Sequence, residues 1–485
     1  MAEREAAGMD DGKPVELQRV LGPWQLIGIG IGAIIGAGIF VITGQAAADH
    51  AGPGIVLSFV IACVGCAFAG LCYAEFAAMI PASGSAYTYS YAAFGRFVGW
   101  LVGWDLCLEY GMAASTVAVG WTGYFKAFLH NRFGIDIPAA LAEAPVRHTV
   151  EKGWEMTGAI MNFPAVAIVV FLTTLLVVGI RTSATFNGFV VVLKVAVILL
   201  VIMFGLPLIN PANLTPLVPE NTGTFGQFGW SGVLMGAGVI FFAYIGFDSV
   251  SVAAQEAKNP QRDLPIGILG SLAICTVLYI LMSLTMTGLA HYTTLKVDHP
   301  VSVAIDAGGA QLAWLAPFVE VGAILGLSTV ILVSLYGQTR IFFSMSRDGF
   351  LPPVFSRVHP QFHTPTTSTI LIGVIVAAFA GIFPLDVLGD LVSVGTLVAF
   401  ILVCVGVMVL RSTRPNVKRP FKTPFYPIVP ILGILVCGAM VYPLLIDLWP
   451  RLLGWLVIGL IIFAVYGVRH AKEPTWKLVD EPAPK

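Results

Sequence analysis

Charged side chains are scarce in this chain of 485 residues. Only 11% of the residues are Asp, Glu, Lys or Arg and 57% are hydrophobic, whereas soluble domains contain about 25% charged and about 45–50% apolar residues. The formal net charge is −1 and the 26 basic residues are scattered, so the sequence offers no basic surface for a nucleic acid. The composition excludes an ordinary soluble domain and indicates a polytopic membrane protein without a nucleic-acid partner.

Cysteine clusters and catalytic sets are also missing from the sequence. The seven cysteines all fall inside apolar runs, which is typical of buried thiols that behave as small hydrophobic side chains. Cys63 and Cys66 have CxxC spacing, but no second pair and no nearby histidine completes a metal site. No Ser/His/Asp set and no phosphate-binding loop is recognisable. We therefore predict neither an enzyme nor a protein that holds a metal or an organic cofactor.

Long apolar runs take the place of the missing charge. Twelve can be drawn, and most reach the roughly 20 residues that cross a bilayer. We call them spans 1 to 12, and they cover residues 23–48, 54–80, 97–128, 162–180, 186–208, 229–255, 264–289, 317–345, 367–384, 387–410, 425–447 and 452–469. With both termini cytoplasmic, 19 of the 26 basic residues fall on the inside, six fall outside and Lys194 lies within a span, as the positive-inside rule predicts.

Spans 1 and 6 are interrupted by glycine and polar residues. The run GIGIGAIIGAGIFVITG (Gly28 to Gly44) contains six glycines, each of which costs about 0.5–1 kcal/mol in a helix interior. Span 6 places Gly246, Asp248 and Ser249 where an ordinary span is aliphatic. Because the interruptions are five spans apart, the second set of five helices would be an inverted copy of the first.

This repeat predicts the organisation of the chain. We expect a cytosolic N-terminal tail at residues 1–20 and a ten-helix core at 21–411, built from repeats at about 21–210 and 225–411. Two accessory helices follow at 412–470, and a cytosolic C-terminal tail at 471–485. The N-terminal tail lacks the compact apolar stretch of a cleavable signal peptide.

A broken helix inside a bilayer exposes backbone groups that need a partner. The half-helix that begins at Gly36, Ala37 and Gly38 would present free N–H groups to a carboxylate. Carbonyl groups freed at Ile34 and in the 242–245 stretch would suit an ammonium group. Together they describe a site for an α-amino acid. The alternative is close helix packing by glycines at GxxxG spacing, and spacing alone does not decide between the two.

Lys194 is isolated in the apolar run FVVVLKVAVILLVIMFG of span 5. An intramembrane lysine costs at least ~2.5–3.5 kcal/mol on insertion scales, so it is expected to face a cavity or a partner. Burial disfavours the charged form of an amine, which would let this lysine gain and lose a proton. The alternative is that its long side chain reaches the cytoplasmic interface.

Three carboxylic acids are further candidates. Asp105 and Glu109 share one face of span 3 at i, i+4 spacing. Glu109 is the deeper of the two and is a candidate for a pocket wall or a proton partner, although a structural hydrogen bond explains it equally well. We expect Asp248 to cap backbone N–H groups freed by the interruption of span 6.

Five segments together resemble the amino acid–polyamine–organocation superfamily, and within it the cationic amino acid transporter family and its bacterial members. They are GIGAIIGAGIFVITG, YAEFAAMIPASGSAYTYSY, FFAYIGFDSVSVAAQEAKNPQRDLPIGI, YGQTRIFFSMSRDGFLP and RPFKTPFYPIVPILGI, which begin at Gly30, Tyr73, Phe241, Tyr336 and Arg419. The similarity extends over essentially all spans.

The resemblance implies an all-α, leucine-transporter-like fold. This fold has twelve transmembrane helices, a 5+5 inverted repeat plus two extra helices, and unwound helices 1 and 6. It implies that Ile34, Gly36, Ala37 and Gly38 hold the substrate carboxylate and part of its amino group. Phe242 would be an aromatic gate, with Ala243 and Ile245 on the unwound stretch of span 6. Lys194 matches the span-5 lysine of proton-coupled members, whose ammonium group occupies the volume of a sodium ion in sodium-coupled relatives.

The resemblance also implies a function and a location. We expect a proton-coupled symporter of L-amino acids that works by alternating access in a bacterial inner membrane, with protons as the coupling ion. Small neutral substrates such as alanine are favoured, with broad tolerance, because the pocket residues are mostly small and apolar. The alternatives are an amino acid exchanger or a carrier of arginine and lysine, for which Glu109 is the clear acidic candidate. Besides the substrate, the expected partner is membrane lipid; the sequence leaves a small membrane regulatory subunit open, and we expect a monomer.

Overall fold

The computed structural model describes residues 9–10, 13–14, 21–80, 84–149, 153–178, 180–359 and 364–472. The two predicted tails therefore lie mostly outside the described residues. Within the described residues, helices make up nearly all of the regular structure, and the predicted all-α class is confirmed. The exceptions are two small antiparallel strand pairs, Met9–Asp10 with Lys13–Pro14 and Val146–Thr149 with Gly153–Met156.

Helices occupy all twelve predicted positions. The longer α-helices are Pro23–Ile34, Ile55–Met79, Ser85–Phe94, Arg96–Leu106, Ala113–Phe133, Phe163–Val178, Ile180–Gly205, Gly229–Ile240, Pro260–Leu289, Pro300–Ala307, Ala316–Arg347, Thr366–Ile382, Leu385–Thr413 and Ile428–Ile462. Short α-helices are Thr43–Ala46, Ala139–Ala142, Ser249–Val252 and Val468–His470, and π-helical segments are Gly38–Ile42, Ala47–Ala51, Cys107–Met112 and Phe463–Gly467. The 3₁₀ segments are Gly52–Gly54, Leu206–Leu208, Pro211–Leu214, Phe241–Tyr244, Ala253–Glu256, Tyr292–Leu295, Gly309–Gln311, Ala313–Leu315 and Pro353–Phe355.

Several helices are long and apolar enough to cross a membrane. Eight such segments are found in the described part of the chain, together with three shorter apolar helices, Pro23–Ile34, Phe163–Val178 and Thr366–Ile382. The protein is therefore a multi-pass membrane protein, while the count of twelve crossings stays a prediction. We expected a connection without helical structure between spans 11 and 12. The structure instead has one continuous helix there, Ile428–Ile462, which contains Pro443 and Pro450.

The two predicted interruptions fall on spans 1 and 6. Helix Pro23–Ile34 ends at Ile35, which has an extended backbone with φ −73° and ψ 101°, and helical structure resumes at Ala37. In span 6, the helix gives way to the 3₁₀ turn Phe241–Tyr244, and Gly246 then adopts φ 118°. An L-residue with a side chain rarely adopts that φ, so glycine is the residue that allows the helix of span 6 to be interrupted here before it resumes at Ser249.

An ion cluster ties span 2 to the end of span 10 and the segment that follows it. The Glu75 carboxylate, almost fully buried, accepts hydrogen bonds from Arg411 Nε at 3.0 Å and Arg411 Nη2 at 2.6 Å. Thr423 N–H donates to the same carboxylate at 2.8 Å, and Arg419 Nε lies 3.3 Å from it. The RPFKTPFYP motif is therefore held against the last turn of helix Ile55–Met79.

Glu75→Gln should lower the stability of the protein. Removing one charge from a fully buried ion pair costs about 3–5 kcal/mol, and we expect a smaller loss here because Arg411 is partly exposed. We expect a lower midpoint of thermal unfolding, measured on the purified protein by size-exclusion chromatography of heated samples.

Asp49→Asn is the matched control. Asp49 pairs with Lys296 at 2.7 Å on an exposed part of the surface, and such pairs contribute about 0–1 kcal/mol. Equal shifts in the two variants would show that the Glu75 cluster is not a stabilising contact.

Candidate functional site

A small cavity lies between the interruptions of spans 1 and 6. Its volume is about 30 Å³, which is room for about two water molecules. It is lined by seven of the eight residues predicted to bind substrate, Ile34, Gly36, Ala37, Gly38, Glu109, Phe242 and Ile245. An amino acid needs more space, so the walls of this cavity must separate before one can enter.

Ala243, the eighth predicted residue, does not line the cavity. It lies behind Gly38, and a Cβ atom added to Gly38 would collide with the backbone and Cβ of Ala243. The role of this pair is thus the close approach of the two interrupted spans. Close packing, one of the two alternatives that the sequence offered for this glycine run, is thus present at Gly38, next to the cavity.

The backbone geometry at the start of the second half of span 1 fits an anion. The first helical hydrogen bond of this half runs from Phe40 N–H to the Gly36 carbonyl at 3.3 Å. The first N–H groups of a helix have no intrahelical acceptor and lie at its positive end. Gly36, Ala37 and Gly38 therefore bring backbone donors to the cavity wall.

Lys194 contacts the interruption of span 1 directly. Its side chain has 0% exposure, and Nζ donates to the carbonyl oxygens of Gly32 at 2.6 Å and Ile35 at 2.7 Å. A third contact at 3.4 Å reaches Thr329 Oγ1 on span 8. Full burial excludes the alternative that this lysine extends to the membrane interface, since its polar end lies among backbone carbonyls.

Tyr279 supplies a second donor to the same interruption. Its hydroxyl group donates to the Ile34 carbonyl at 2.8 Å from helix Pro260–Leu289. We expected this carbonyl to be free for an ammonium group; it already has one donor, although a carbonyl oxygen accepts two. Nothing in the sequence singles out Tyr279, because an aromatic residue inside an apolar span more often belongs to the core.

Asp248 is buried at the N-cap position of helix Ser249–Val252, and its carboxylate lies beside the backbone N–H groups of Asp248 and Ser249. Its side chain makes no hydrogen bond further into that helix, so the predicted capping is present only in part. One carboxylate oxygen also accepts from Tyr110 Oη at 2.5 Å and from Ser85 Oγ at 3.1 Å. Asp248 thereby joins span 6 to span 3 and to helix Ser85–Phe94, because hydroxyl donors on those elements face it.

Glu109 has a buried carboxyl group at the cavity wall. The residue is 2% exposed, and neither carboxyl oxygen has a hydrogen-bond partner within the described residues. It lies on the π-helical segment Cys107–Met112, where span 3 departs from regular α-helix. Such π segments occur frequently at functional sites. The carboxyl group of Asp248 is its close neighbour, within reach of a hydrogen bond when one of the two is protonated, so the structural role that the sequence left open for Glu109 stays an alternative.

Comparison with known proteins identifies the family. Residues 21–466 match the model of the amino acid permease family, and the chain belongs to that family. It is 46% identical over 457 residues to a branched-chain amino acid permease of Bacillus subtilis, with 94% of each chain covered. The family resemblance seen in the motifs is thus confirmed, and the protein is a transporter instead of an enzyme.

Other relatives carry names with different substrates. A methylthioribose transporter of Bacillus subtilis is 43% identical over 459 residues, 95% of each chain. The vacuolar cationic amino acid transporter 4 of Arabidopsis thaliana is 41% identical over 406 residues, which is 83% of this chain and 65% of that one. Membership of the family therefore establishes general amino acid transport but leaves the preferred substrate open.

Gly38→Ala should abolish transport. The added methyl group would overlap the backbone of Ala243 and push the two interrupted spans apart. We expect the initial rate of amino acid uptake to fall at least about tenfold, which corresponds to an activation free energy higher by roughly 1.4 kcal/mol. The rates are compared at equal amounts of protein in the membrane.

Gly28→Ala is the control for that substitution. It lies in the same glycine run, and a Cβ atom there meets nothing within 4 Å, so uptake should stay near the wild-type rate. Normal uptake by Gly38→Ala would contradict the required contact between spans 1 and 6.

Proposed function

We propose that this protein is a proton-coupled symporter of neutral L-amino acids in a bacterial inner membrane, with both termini cytoplasmic. The observation that carries the proposal is the contact of Lys194 Nζ with the Gly32 and Ile35 carbonyls at the interruption of span 1. The Lys194 ammonium group places one positive charge among oxygens that could otherwise bind a metal cation such as sodium. In this proposal the proton that Lys194 gains and loses is therefore the coupling ion.

The proton is linked to movement through these hydrogen bonds. A charged ammonium group has three donors, which the Gly32, Ile35 and Thr329 oxygens accept. When Lys194 releases its proton, the amine donates fewer and weaker bonds, and buried carbonyls without a donor are costly. A rearrangement of the interruption of span 1 that gives these carbonyls new donors then lowers the free energy. Proton release is thereby coupled to the opening of the cavity.

The substrate is oriented by the same interruption from its other side. We assign the carboxylate to the N–H groups of Gly36, Ala37 and Gly38, where the helix dipole favours a negative charge. The ammonium group is assigned to backbone carbonyls near Ile34 and Ile245. Phe242, which lines the cavity and is 6% exposed, is assigned the role of gate.

The side-chain end of the cavity favours an aliphatic substrate. Ala113, Val117, Val330 and Val333 line it, and such apolar walls bind aliphatic side chains with little discrimination between chain lengths. We therefore assign alanine as a substrate, with tolerance that extends to branched-chain amino acids. The branched-chain permease of Bacillus subtilis, at 46% identity, supports that extension.

Glu109 favours a second candidate function, the carriage of cationic amino acids. Its buried carboxyl group lines the same cavity, and a buried carboxylate is stabilised by an opposite charge. The cationic amino acid transporter among the relatives agrees with this candidate. In the neutral-substrate proposal the Glu109 carboxyl group remains protonated instead.

A reconstituted transport assay tests both functions. Purified protein in liposomes should accumulate labelled alanine and leucine when an inward proton gradient is imposed, with no requirement for sodium. The panel should include arginine, lysine and methylthioribose. Uptake that needs sodium and ignores pH would refute proton coupling, and exchange without net uptake into empty vesicles would identify an exchanger.

Lys194→Ala should uncouple transport from the proton gradient. Without the amine there is no proton to carry, so we expect pH-driven accumulation to fall at least about tenfold while substrate binding persists. Binding is measured as stabilisation against heat by alanine. Lys296→Ala, at an exposed lysine, is the control and should accumulate substrate like wild type; wild-type pH dependence in Lys194→Ala would refute the role assigned to Lys194.

Glu109→Gln separates the two substrate classes. If the carboxyl group is neutral during transport, the isosteric amide should change alanine uptake by less than about threefold. If Glu109 pairs with a cationic side chain, uptake of arginine should be lost, because a hydrogen bond to a charged group is worth about 1.5–3 kcal/mol. Initial uptake rates for alanine and arginine in the same vesicles give the answer.

A further inference from the structure

A groove lies between spans 4 and 9 on the outer surface of the helix assembly. It separates helices Phe163–Val178 and Thr366–Ile382 and has a volume of about 260 Å³. We call it the 4/9 groove, and its lining includes Val170, Thr174, Val177, Ile370, Gly373 and Val374. Val170, Ile370 and Val374 are between 49% and 62% exposed. In a membrane these aliphatic side chains contact lipid.

The 4/9 groove is long, apolar and closed at its floor. From Val170 to Val177 it follows span 4 for about 10 Å, at a rise of 1.5 Å per residue. A Cβ atom added to Gly373 would collide with the side chain of Thr173, so the two helices touch there. An acyl chain that lies along this groove makes more packing contacts than one on an open helix face.

A polar depression adjoins the groove where spans 4 and 8 end and span 9 begins. Its lining includes Leu176, Tyr336, Thr339, Arg340, Thr364 and Thr369. Leu176 precedes the groove residue Val177 in the chain, and Thr369 precedes Ile370. Thr364 Oγ1 also donates to the Val177 carbonyl at 3.4 Å. The depression is therefore the polar end of an otherwise apolar groove.

Arg340 gives the depression a positive charge. It shares one face of helix Ala316–Arg347 with Tyr336 and Thr339, at i, i+3 and i+4 spacing. In the part of the chain that the structure describes, its guanidinium group lies over the Tyr336 ring, 5.0 Å from the centroid, and forms no ion pair. Among the described residues, no acidic side chain lines the depression. A ligand with a net negative charge is therefore complementary to it.

The depression is too shallow to hold an anion by itself. It encloses about 10 Å³, which is room for about one water molecule. A phosphate group would lie at its mouth against Arg340, which is partly exposed and can bind two phosphate oxygens through parallel N–H groups. So open a contact favours a ligand that is anchored elsewhere, and the 4/9 groove provides that anchor for an acyl chain.

Arg347 is a comparison on the same helix. Its guanidinium group lies over the Phe343 ring at 5.7 Å from the centroid, the same i−4 arrangement as Arg340 over Tyr336. Arg347 is exposed and lines neither the groove nor the depression. An arginine that only extends to the interfacial water, as long side chains do near helix ends, would behave like Arg347.

We propose that the polar depression and the 4/9 groove form a binding site for one anionic phospholipid, with its phosphate on Arg340 and one acyl chain in the groove. In the orientation proposed above, this lipid belongs to the cytoplasmic leaflet, whose anionic lipids are attracted by basic side chains at the surface. The site lies outside the transport pathway and does not depend on the proposed substrate or coupling ion.

Lipid titration followed by native mass spectrometry tests the site. The full-length protein in detergent is titrated with phosphatidylglycerol or with phosphatidylcholine that carries the same acyl chains. We expect the first phosphatidylglycerol to bind roughly three- to tenfold more tightly, as one basic residue at a membrane surface provides. Glycerol 3-phosphate, which has the phosphate but no acyl chain, should not compete. Equal binding of the two lipids, or displacement by glycerol 3-phosphate, would overturn the proposal.

Three variants assign the binding to this site. Arg340→Gln should remove the preference for phosphatidylglycerol, and the matched variant Arg347→Gln should keep it. Thr174→Trp places a large ring in the groove at an exposed position and should abolish the tight binding of the first phosphatidylglycerol.

Two results would refute the assignment. Equal loss of the preference in both arginine variants would indicate general surface attraction, and wild-type binding in Thr174→Trp would place the acyl chain elsewhere. If Arg340→Gln does not fold, Arg340→Lys replaces it; lysine keeps the charge but loses the two parallel N–H groups, so the preference should be smaller than in wild type. Because binding is read without transport, these results are distinct from any failure of the proposed symport.

Discussion

The backbone carbonyls left without helical partners at the interruption of span 1 impose the constraint on which the site depends. Inside a bilayer no water is available to satisfy them, and each unsatisfied group is costly. Lys194 donates hydrogen bonds to the Gly32 and Ile35 carbonyls, and Tyr279 donates one to the Ile34 carbonyl. Three helices that are distant in sequence must therefore meet at one point. The interruption is stable because spans 5 and 7 bring these donors to it.

Irregular backbone borders the cavity between spans 1 and 6 on several sides, and the long helix Ala316–Arg347 lines it as well. Spans 1 and 6 are interrupted there, and span 3 passes through a π-helical segment at the level of Glu109. Glycine permits the closest contact, since Gly38 has no room for a side chain beside Ala243. Both backbone and side chains line the cavity, among them Gly36 and Gly38 as well as Glu109, Phe242 and Val330.

Sequence patterns located the parts of the site where a membrane span contains residues that are unusual there, namely clustered glycines and a charged side chain. Six glycines in an apolar run predicted a break between Ile34 and Gly38, and the structure has it at Ile35 and Gly36. The lone charge of span 5 predicted that Lys194 faces a cavity or a partner, and it contacts the Gly32 and Ile35 carbonyls. Tyr279, Tyr110 and Ser85 could not be found in this way, because polar-tipped residues in apolar spans occur throughout the chain. Asp248 was singled out for capping freed N–H groups, but its hydroxyl partners Tyr110 and Ser85 were not predicted.

The sequence by itself determined the membrane class, the helical content, the family and the positions of the two interruptions. These properties follow from composition and from the order of residues within each segment. Each of them depends on how one segment contacts lipid or on whether its backbone groups can form hydrogen bonds within that segment. Only the tertiary structure decided which donor meets which freed carbonyl, and that Ala243 lies behind Gly38 instead of on the cavity wall. Those outcomes depend on distances between segments that are far apart in the chain. The spacing of glycines within one span, or a single charged residue, carries no information about such distances.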